Sequence, residues 1–243
     1  MNLQKLLSYT RQAVNDYNMI KDGDKIAVGI SGGKDSLCLL AALSEMRRFF
    51  PYKYELEAIT VSLGFNETDY IGVKSFCDKL GVNYTVVDTQ IGRIIFDERK
   101  EENPCSLCAK MRKGALNNAA EELGCNKIAL GHNKNDVIET FLMSLIFEGR
   151  ISCFSPVSFL EKKKLYSIRP LIYVSEYETK SYADSLGSII VKNPCPADGS
   201  TKRQEIKELL KTLNKTYPNL NQRIFGAVTR SLDDWKRGGV NGR

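Results

Sequence analysis

The sequence predicts an α/β fold, a parallel sheet with helices on both faces, led by one helix and followed by a helical extension. Three observations carry this. Short β-rich runs alternate with segments of helical period, the pattern of βαβ units. One strand passes directly into a glycine-rich turn and then a helix, Lys25 to Arg48. The last fifty or so residues, 191–243, hold two helical segments and no strand pattern.

Taken in order, Leu3, Leu6, Leu7, Val14 and Tyr17 recur at helical spacing before the turn Lys21-Asp22-Gly23-Asp24. KIAVGI, Lys25 to Ile30, is the first strand. Tyr54 to Ser62 and Val82 to Thr89 are the next two, separated by a helix from about Thr68 to Leu80 that Gly81 ends. A charged stretch, Arg93 to Asn103, then reads as a functional loop before Pro104-Cys105-Ser106-Leu107-Cys108 and a helix to about Leu123. Lys127 to Gly131 is a fourth strand, Asn133 to Phe147 an apolar helix, and Lys164 to Ile168 a fifth strand before Arg169-Pro170. Asn193 to Gly199 breaks structure, and Thr201 to Asn214 and Leu220 to Trp235 are helical. The expected division is an N-terminal helix at 1–22, a core domain at 23–190 with a cysteine-bearing insertion near 93–116, and a C-terminal extension at 191–243.

Composition narrows the functional classes. At 243 residues the chain suits one large domain or a core plus an appendage, taking ~150 residues per domain. Apolar residues at 42% and charged residues at 26% exclude disorder and collagen-like repeats. The longest apolar runs, such as Leu37 to Leu43, fall far short of the ~20 residues that cross a bilayer. The opening MNLQKLLSYTRQAVNDYN has helical periodicity and early charges instead of a basic end, an apolar block and a cleavage site, so a mature cytoplasmic protein without membrane contact is expected. The net charge of +6 is compatible with a polyanionic partner. Seven cysteines, odd in number and unevenly spaced, argue for reduced thiols, metal ligation or redox chemistry over a disulfide framework.

Ser31-Gly32-Gly33-Lys34-Asp35-Ser36 lets backbone N–H groups approach an anion at a helix N-terminus. It is not a Walker A loop, since counting from Gly29 that pattern needs glycine where Lys34 stands, and it is not GxGxxG. A capped tight turn is the plain alternative. SGGKDS resembles the signature of the PP-loop ATP pyrophosphatases, of Rossmann-like fold in the HUP class, which cleave ATP between the α and β phosphates to adenylate a substrate. The resemblance implies that Ser31, Gly32, Gly33, Lys34, Asp35 and Ser36 hold ATP phosphates and that Thr60, Val61 and Ser62 pass near adenine.

Cys105 and Cys108 put two soft ligands within reach of one metal, and Cys195, between two prolines, offers a third. On spacing alone a redox pair, half a zinc site and an iron–sulfur site are equally open. Cys38, Cys77, Cys125 and Cys153 read as small buried side chains. PCSLCAKMRKGAL at 104–116 resembles the cysteine motif of the TtcA family, the tRNA 2-thiocytidine synthetases. GHNKNDVIETFLMSL at 131–145 is similar to its Gly-His-x-x-Asp-Asp motif, IRPLIYVSE at 168–176 to its later strand, and NPCPADGSTKRQEIKELL to its third-cysteine region. The resemblance implies a [4Fe-4S] cluster on Cys105, Cys108 and Cys195, with ATP and Mg²⁺. Its partners would be tRNA and a sulfur donor, either sulfide or a cysteine desulfurase, and the enzyme a homodimer. Asn135 replaces the first aspartate of the pair, and Asp198 stands where family members often have a further cysteine.

His132 is the only histidine, so a two-histidine zinc site is excluded. Its family position, with Gly131, is the nucleotide site; Asp136 is expected at the ligand crevice, as a Mg²⁺ ligand or base, or else as a helix cap. Lys110, Arg112 and Lys113 follow the CxxC and Lys202, Arg203 and Lys207 follow Cys195, with Arg150 and Arg169 between. A solvated face is the plain reading, and clustering beside both cysteine segments is what a tRNA backbone would need. The function that follows is ATP-dependent thiolation of a tRNA base, cytidine in the anticodon loop by resemblance. The alternatives are a PP-loop thiolase for uridine or a non-tRNA acceptor, and a non-catalytic RNA-binding module with zinc on Cys105, Cys108, Cys195 and His132.

Overall fold

A computed structural model describes residues 3–65, 69–99, 104–186, 191, 195 and 201–236. The helix α1 (Leu3–Asp16) leads into β1 (Asp24–Gly29), α2 (Lys34–Met46), β2 (Tyr54–Ser62), α3 (Ile71–Lys79) and β3 (Asn83–Asp88). A short α4 (Ile91–Arg93) runs into a π turn at Ile94–Glu98, followed by α5 (Pro104–Glu122), β4 (Lys127–Ala129) and α6 (Lys134–Glu148). The strands β5 (Val157–Leu160) and β6 (Leu165–Ile168), then α7 (Glu176–Ala183), α8 (Lys202–Thr216) and α9 (Leu220–Ser231), complete the order.

The six strands among the described residues form one sheet in the order β3-β2-β1-β4-β6-β5. All pairs are parallel except β5 with β6. Strand alternation divides the interior in two, because successive side chains face opposite sides. Ile26, Val28, Ala58 and Ile168 join the main core with buried residues of α1, α2 and α7. Ala27, Ile59, Ile128 and Leu165 face the other way, onto Ala119 and Ala120 of α5. The expected helices on both faces are present. The C-terminal helices share this interior: Ile206 and Leu210 of α8 pack on Ile138 of α6. Trp235, 1% exposed, packs edge-on against Tyr17 and Phe225 and donates its indole N–H to the Phe154 carbonyl at 3.0 Å.

Several expectations are corrected. The sheet is not wholly parallel, because β5 adds an antiparallel edge; its four residues are too short and too exposed to alternate clearly. Lys164 belongs to the hairpin turn, with φ 52°, and not to the strand. The stretch 168–176 is a strand only at Ile168: Pro170 has no N–H for a ladder, turns at Ile172 and Val174 follow, and Ser175 caps α7. The helix expected over 220–235 breaks at Leu232, and the charged stretch from Arg93 is helical through Glu98. Residues 66–68, 100–103, 192–194 and 196–200, which include Thr68 and most of the break around Cys195, lie outside the described residues. No described helix is long and apolar enough to cross a membrane.

Candidate functional site

At the carboxyl edge of the strands a cavity of about 480 Å³ opens between the sheet and α5. Alternate positions on four strands reach it: Gly29 from β1, Ile59 and Val61 from β2, Ile128 and Leu130 on and after β4, Ser167 and Arg169 on and after β6. The opposing wall is one face of α5, Ala109, Arg112, Lys113 and Leu116. A Cβ on Gly29 would stand 3.1 Å from Leu116 Cδ2, so a glycine here lets sheet and helix approach.

The glycine turn forms one rim, through Ser31, Asp35 and Ser36. Gly32 has φ +77°, a conformation that costs other residues ~1–2 kcal/mol. The Ser31 N–H donates to Ser36 Oγ at 3.2 Å, Ser36 Oγ–H donates to the Gly33 carbonyl at 2.8 Å, and the Gly33 N–H donates to Ser31 Oγ at 3.2 Å. Among the described residues no side chain caps the N-terminus of α2, and a first turn of this kind suits an anion. Val191 closes the outside: its N–H donates to the Gly32 carbonyl at 3.0 Å, and a Cβ on Gly32 would lie 2.7 Å from its own. Gly131 abuts the same turn, since its Cβ would lie 3.1 Å from the backbone at Asp35 and Ser36.

Other expected site residues stand elsewhere. Lys34 does not line the cavity; its ammonium pairs with Asp35 at 2.9 Å and Glu176 at 3.2 Å. Thr60 is buried on the opposite face of β2, where the Tyr84 hydroxyl donates to it at 2.8 Å, and the Ser62 carbonyl accepts from Thr89, so of these three only Val61 lines the cavity. Asp136 is also outside the lining. Its carboxylate accepts the Asn133 N–H at 2.9 Å in a capping box on α6 and meets Arg203 at 3.2 Å. Burial lifts its pKa above the ordinary carboxylate range, against Asn133 and Arg203. The helix-cap alternative thus describes its contacts. Asn133 in turn donates to Asp35 at 3.1 Å, tying α6 to the loop, while Asn135 accepts the Glu176 N–H at 3.0 Å at the start of α7.

His132 lines the floor of the cavity and stacks on Phe154 at 4.9 Å. Burial, helped by Arg169 and Arg203, pushes its pKa down to about 3, so it is neutral at physiological pH. Sequence reasoning missed Ser167 and misjudged Arg169. Arg169 is no surface contact for a nucleic-acid backbone: it is 8% exposed, lies 5.0 Å over Phe154, and donates to the Ser155 carbonyl and Ser158 Oγ. Arg203 and Lys207 are likewise committed, to Glu139, Asp136 and Glu176. Lys110, Lys113, Arg150 and Lys202 are exposed, and Arg112 is half-buried.

Cys105 and Cys108 stand within the first five residues of α5, and Ala109, the next residue, already lines the cavity, so the pair sits at its rim. Burial pushes the Cys108 thiol up; Arg112 opposes this, and nearby Cys195 and Cys105 add to it. That Cys195 acts on the Cys108 thiol at all means that the third cysteine stands near the other two in space. The donor set is all sulfur, which suits an iron–sulfur cluster. Among the described residues no three His, Cys, Asp or Glu side chains gather tightly enough to hold a single ion, and His132 is not grouped with the thiols, as the zinc alternative requires. Cys38, Cys77 and Cys125 are buried as expected and Cys153 is half-buried; burial pushes all four thiols up, to between about 11 and about 12.

A PP-loop domain family matches residues 4–213. The chain is 38% identical to a tRNA-cytidine(32) 2-sulfurtransferase of Pelobacter propionicus over 223 residues, covering 90% of this chain and 82% of that one. It is 36% identical to another so named from Dichelobacter nodosus, covering 94% and 86%. In structure it is similar to the U34-tRNA thiolase NcsA from Methanococcus maripaludis with its [4Fe-4S] cluster, with a TM-score of 0.74 and 27% identity over 93% of this chain and 77% of that one.

Proposed function

The chain belongs to the PP-loop domain family and, within it, to the tRNA-cytidine(32) 2-sulfurtransferases, and on that premise we propose how its residues divide the work. It is an ATP-dependent tRNA sulfurtransferase. The C2 carbonyl oxygen of the base, cytidine in the anticodon loop, attacks the α-phosphorus of ATP and pyrophosphate leaves. Sulfur then forms a bond to C2, and the former carbonyl oxygen departs with AMP. Ser31, Gly32, Gly33 and Ser36 receive the phosphates on backbone N–H groups and hydroxyls, which meet charge without having to reorganise. Val61 flanks the adenine. Lys34, held by Asp35 and Glu176, sets the electrostatics of the loop from outside the cavity. Asp35, which lines the cavity, would hold Mg²⁺ against the phosphates, while Asp136 keeps its capping and Arg203 contacts. Asp136 also fixes the turn that carries His132.

Cys105, Cys108 and Cys195 would hold the [4Fe-4S] cluster, which supplies an iron free of protein ligands to carry sulfur. Arg112 and Lys113, on the cavity face of the same helix, attract the phosphates of both ATP and tRNA. The sulfur arrives as sulfide or from a cysteine desulfurase, and the enzyme works in the cytoplasm as a homodimer. The homodimer is supported by the exposed apolar side chains Ile146, Phe147 and Ile151 at the end of α6. The chain works as a leading helix at 1–22, a catalytic domain at 23–190 and an extension at 191–243 that brings Cys195.

One observation carries this reading: a single cavity has the glycine turn on one rim and the helix of Cys105 and Cys108 as its wall. The test is iron and acid-labile sulfide content after anaerobic reconstitution, with thiolated tRNA and AMP as products. Wild type should hold about four irons. Cys105→Ser, Cys108→Ser and Cys195→Ser should each lose the cluster and thiolation while Cys153→Ser keeps both. Zinc in place of iron, or iron indifferent to Cys195, refutes the assignment.

A further inference from the structure

The lining of the cavity falls into two groups of side chains, or arms, one from β2 and one around β6. In the sheet order, β1 and its glycine turn lie between β2 on one side and β4 and β6 on the other. The β2 arm is apolar, through Ile59 and Val61. The β6 arm is different, because it ends on Ser167, Arg169 and His132. Ser167 Oγ, Arg169 Nε and His132 Nδ1 are the three buried side-chain atoms without a hydrogen-bond partner among the described residues. All three therefore belong to one place. Buried polar groups are otherwise almost always satisfied, so three unmet ones on residues that line one cavity point to an occupant.

The β5–β6 hairpin builds this arm. Ser158 of β5 and Ser155 just before it take both bonds of Arg169 Nη1, and Phe154 lies under the guanidinium. Arg169 is thereby fixed, with Nε unspent. Ser167 is 2% exposed, and its hydroxyl hydrogen can turn to suit a donor or an acceptor. Arg169 can only donate; a serine hydroxyl and a neutral imidazole can each donate or accept.

We propose that the β6 arm seats the pyrimidine that is to be thiolated, with Arg169, Ser167 and His132 reading its edge. This rests on the thiolase reading above. Adenine and the acceptor base cannot share an arm, and the α-phosphorus must lie between them, at the glycine turn. Cytosine presents a ring acceptor at N3 beside the C2 carbonyl and a donor amino group at C4, which matches one obligate donor and two adaptable groups. Uracil carries a hydrogen on N3 and sets a donor against the Arg169 donor. Arg169 is thus a specificity-determining residue.

The test uses full-length reconstituted enzyme and tRNA carrying C or U at the modified position, with thiolation kinetics, equilibrium binding of ATP and thermal unfolding. Ser167→Ala should lower kcat/KM for the cytidine tRNA about tenfold with ATP affinity unchanged. Its melting temperature should not fall, because the lost hydroxyl has no partner. Arg169→Gln should narrow the preference for C over U about tenfold or more. A Ser167→Ala enzyme with unaltered tRNA kinetics, or one that loses ATP affinity instead, overturns the inference. If Arg169→Gln fails to fold, the Ser167→Ala result decides alone. Wild type that never thiolates the cytidine tRNA refutes the thiolase reading itself and is seen without any variant.

Discussion

His132 illustrates how a single side chain records its surroundings. In the unfolded chain it titrates near 6.5, and in the folded protein near 3. Between these values the unfolded state binds the extra proton, so stability is full above about pH 6.5 and falls as the pH drops toward 3. Moving from pH 7 to pH 5 should cost roughly 2 kcal/mol, and His132→Gln should remove that part of the pH dependence in urea unfolding curves. Gly32 is constrained by φ and by Val191 together. Gly32→Ala should weaken ATP binding about tenfold, an effect of ~1–2 kcal/mol, in calorimetric titration. Adding Val191→Gly, which removes the Cβ that a side chain at Gly32 would meet, should recover only the part due to crowding, since the backbone strain remains.

At the level of elements, α8 is held to α6 by Ile206 and Leu210 on Ile138 and by Arg203 on Glu139 at 2.9 Å. Glu139 is 2% exposed and its carboxyl is pushed up by burial, with Lys207 and Arg203 opposing. Arg203→Met should cost about 2 kcal/mol, less than for a fully buried pair because Arg203 keeps 36% of its side chain exposed. Glu139→Gln in that background should return part of the loss, measured by urea unfolding. Elements with strong local signals were legible: β2 runs Tyr54–Ser62 as its pattern predicts, and the glycine turn with its helix was plain. The hairpin was not, because four half-exposed residues carry no period and the edge strand is defined only by its partner. The same holds within the site. Cysteine spacing nominated Cys105, Cys108 and Cys195. Ser167 gave no signal, because a serine matters there only through the hydrogen bond it lacks.

For the molecule as a whole, the charge of +6 matters through its distribution. Arg203, Lys207, Lys34 and Arg169 are spent internally, which leaves exposed Lys110, Lys113, Arg150 and Lys202 to meet tRNA phosphates. With about four such contacts, affinity for tRNA should fall roughly fiftyfold between 50 and 200 mM salt, followed by filter binding. Lys110→Gln should reduce the salt slope by about one, whereas Arg169→Gln should leave it unchanged.

The packing of Trp235 gives this protein an optical property. The indole, the chain's single one, touches Phe154, and Phe154 stacks on His132 at the cavity floor. Excited at the indole band, the protein therefore carries one emitter two rings from its reaction cavity. Its colour and brightness report on how that floor is filled, with no attached dye.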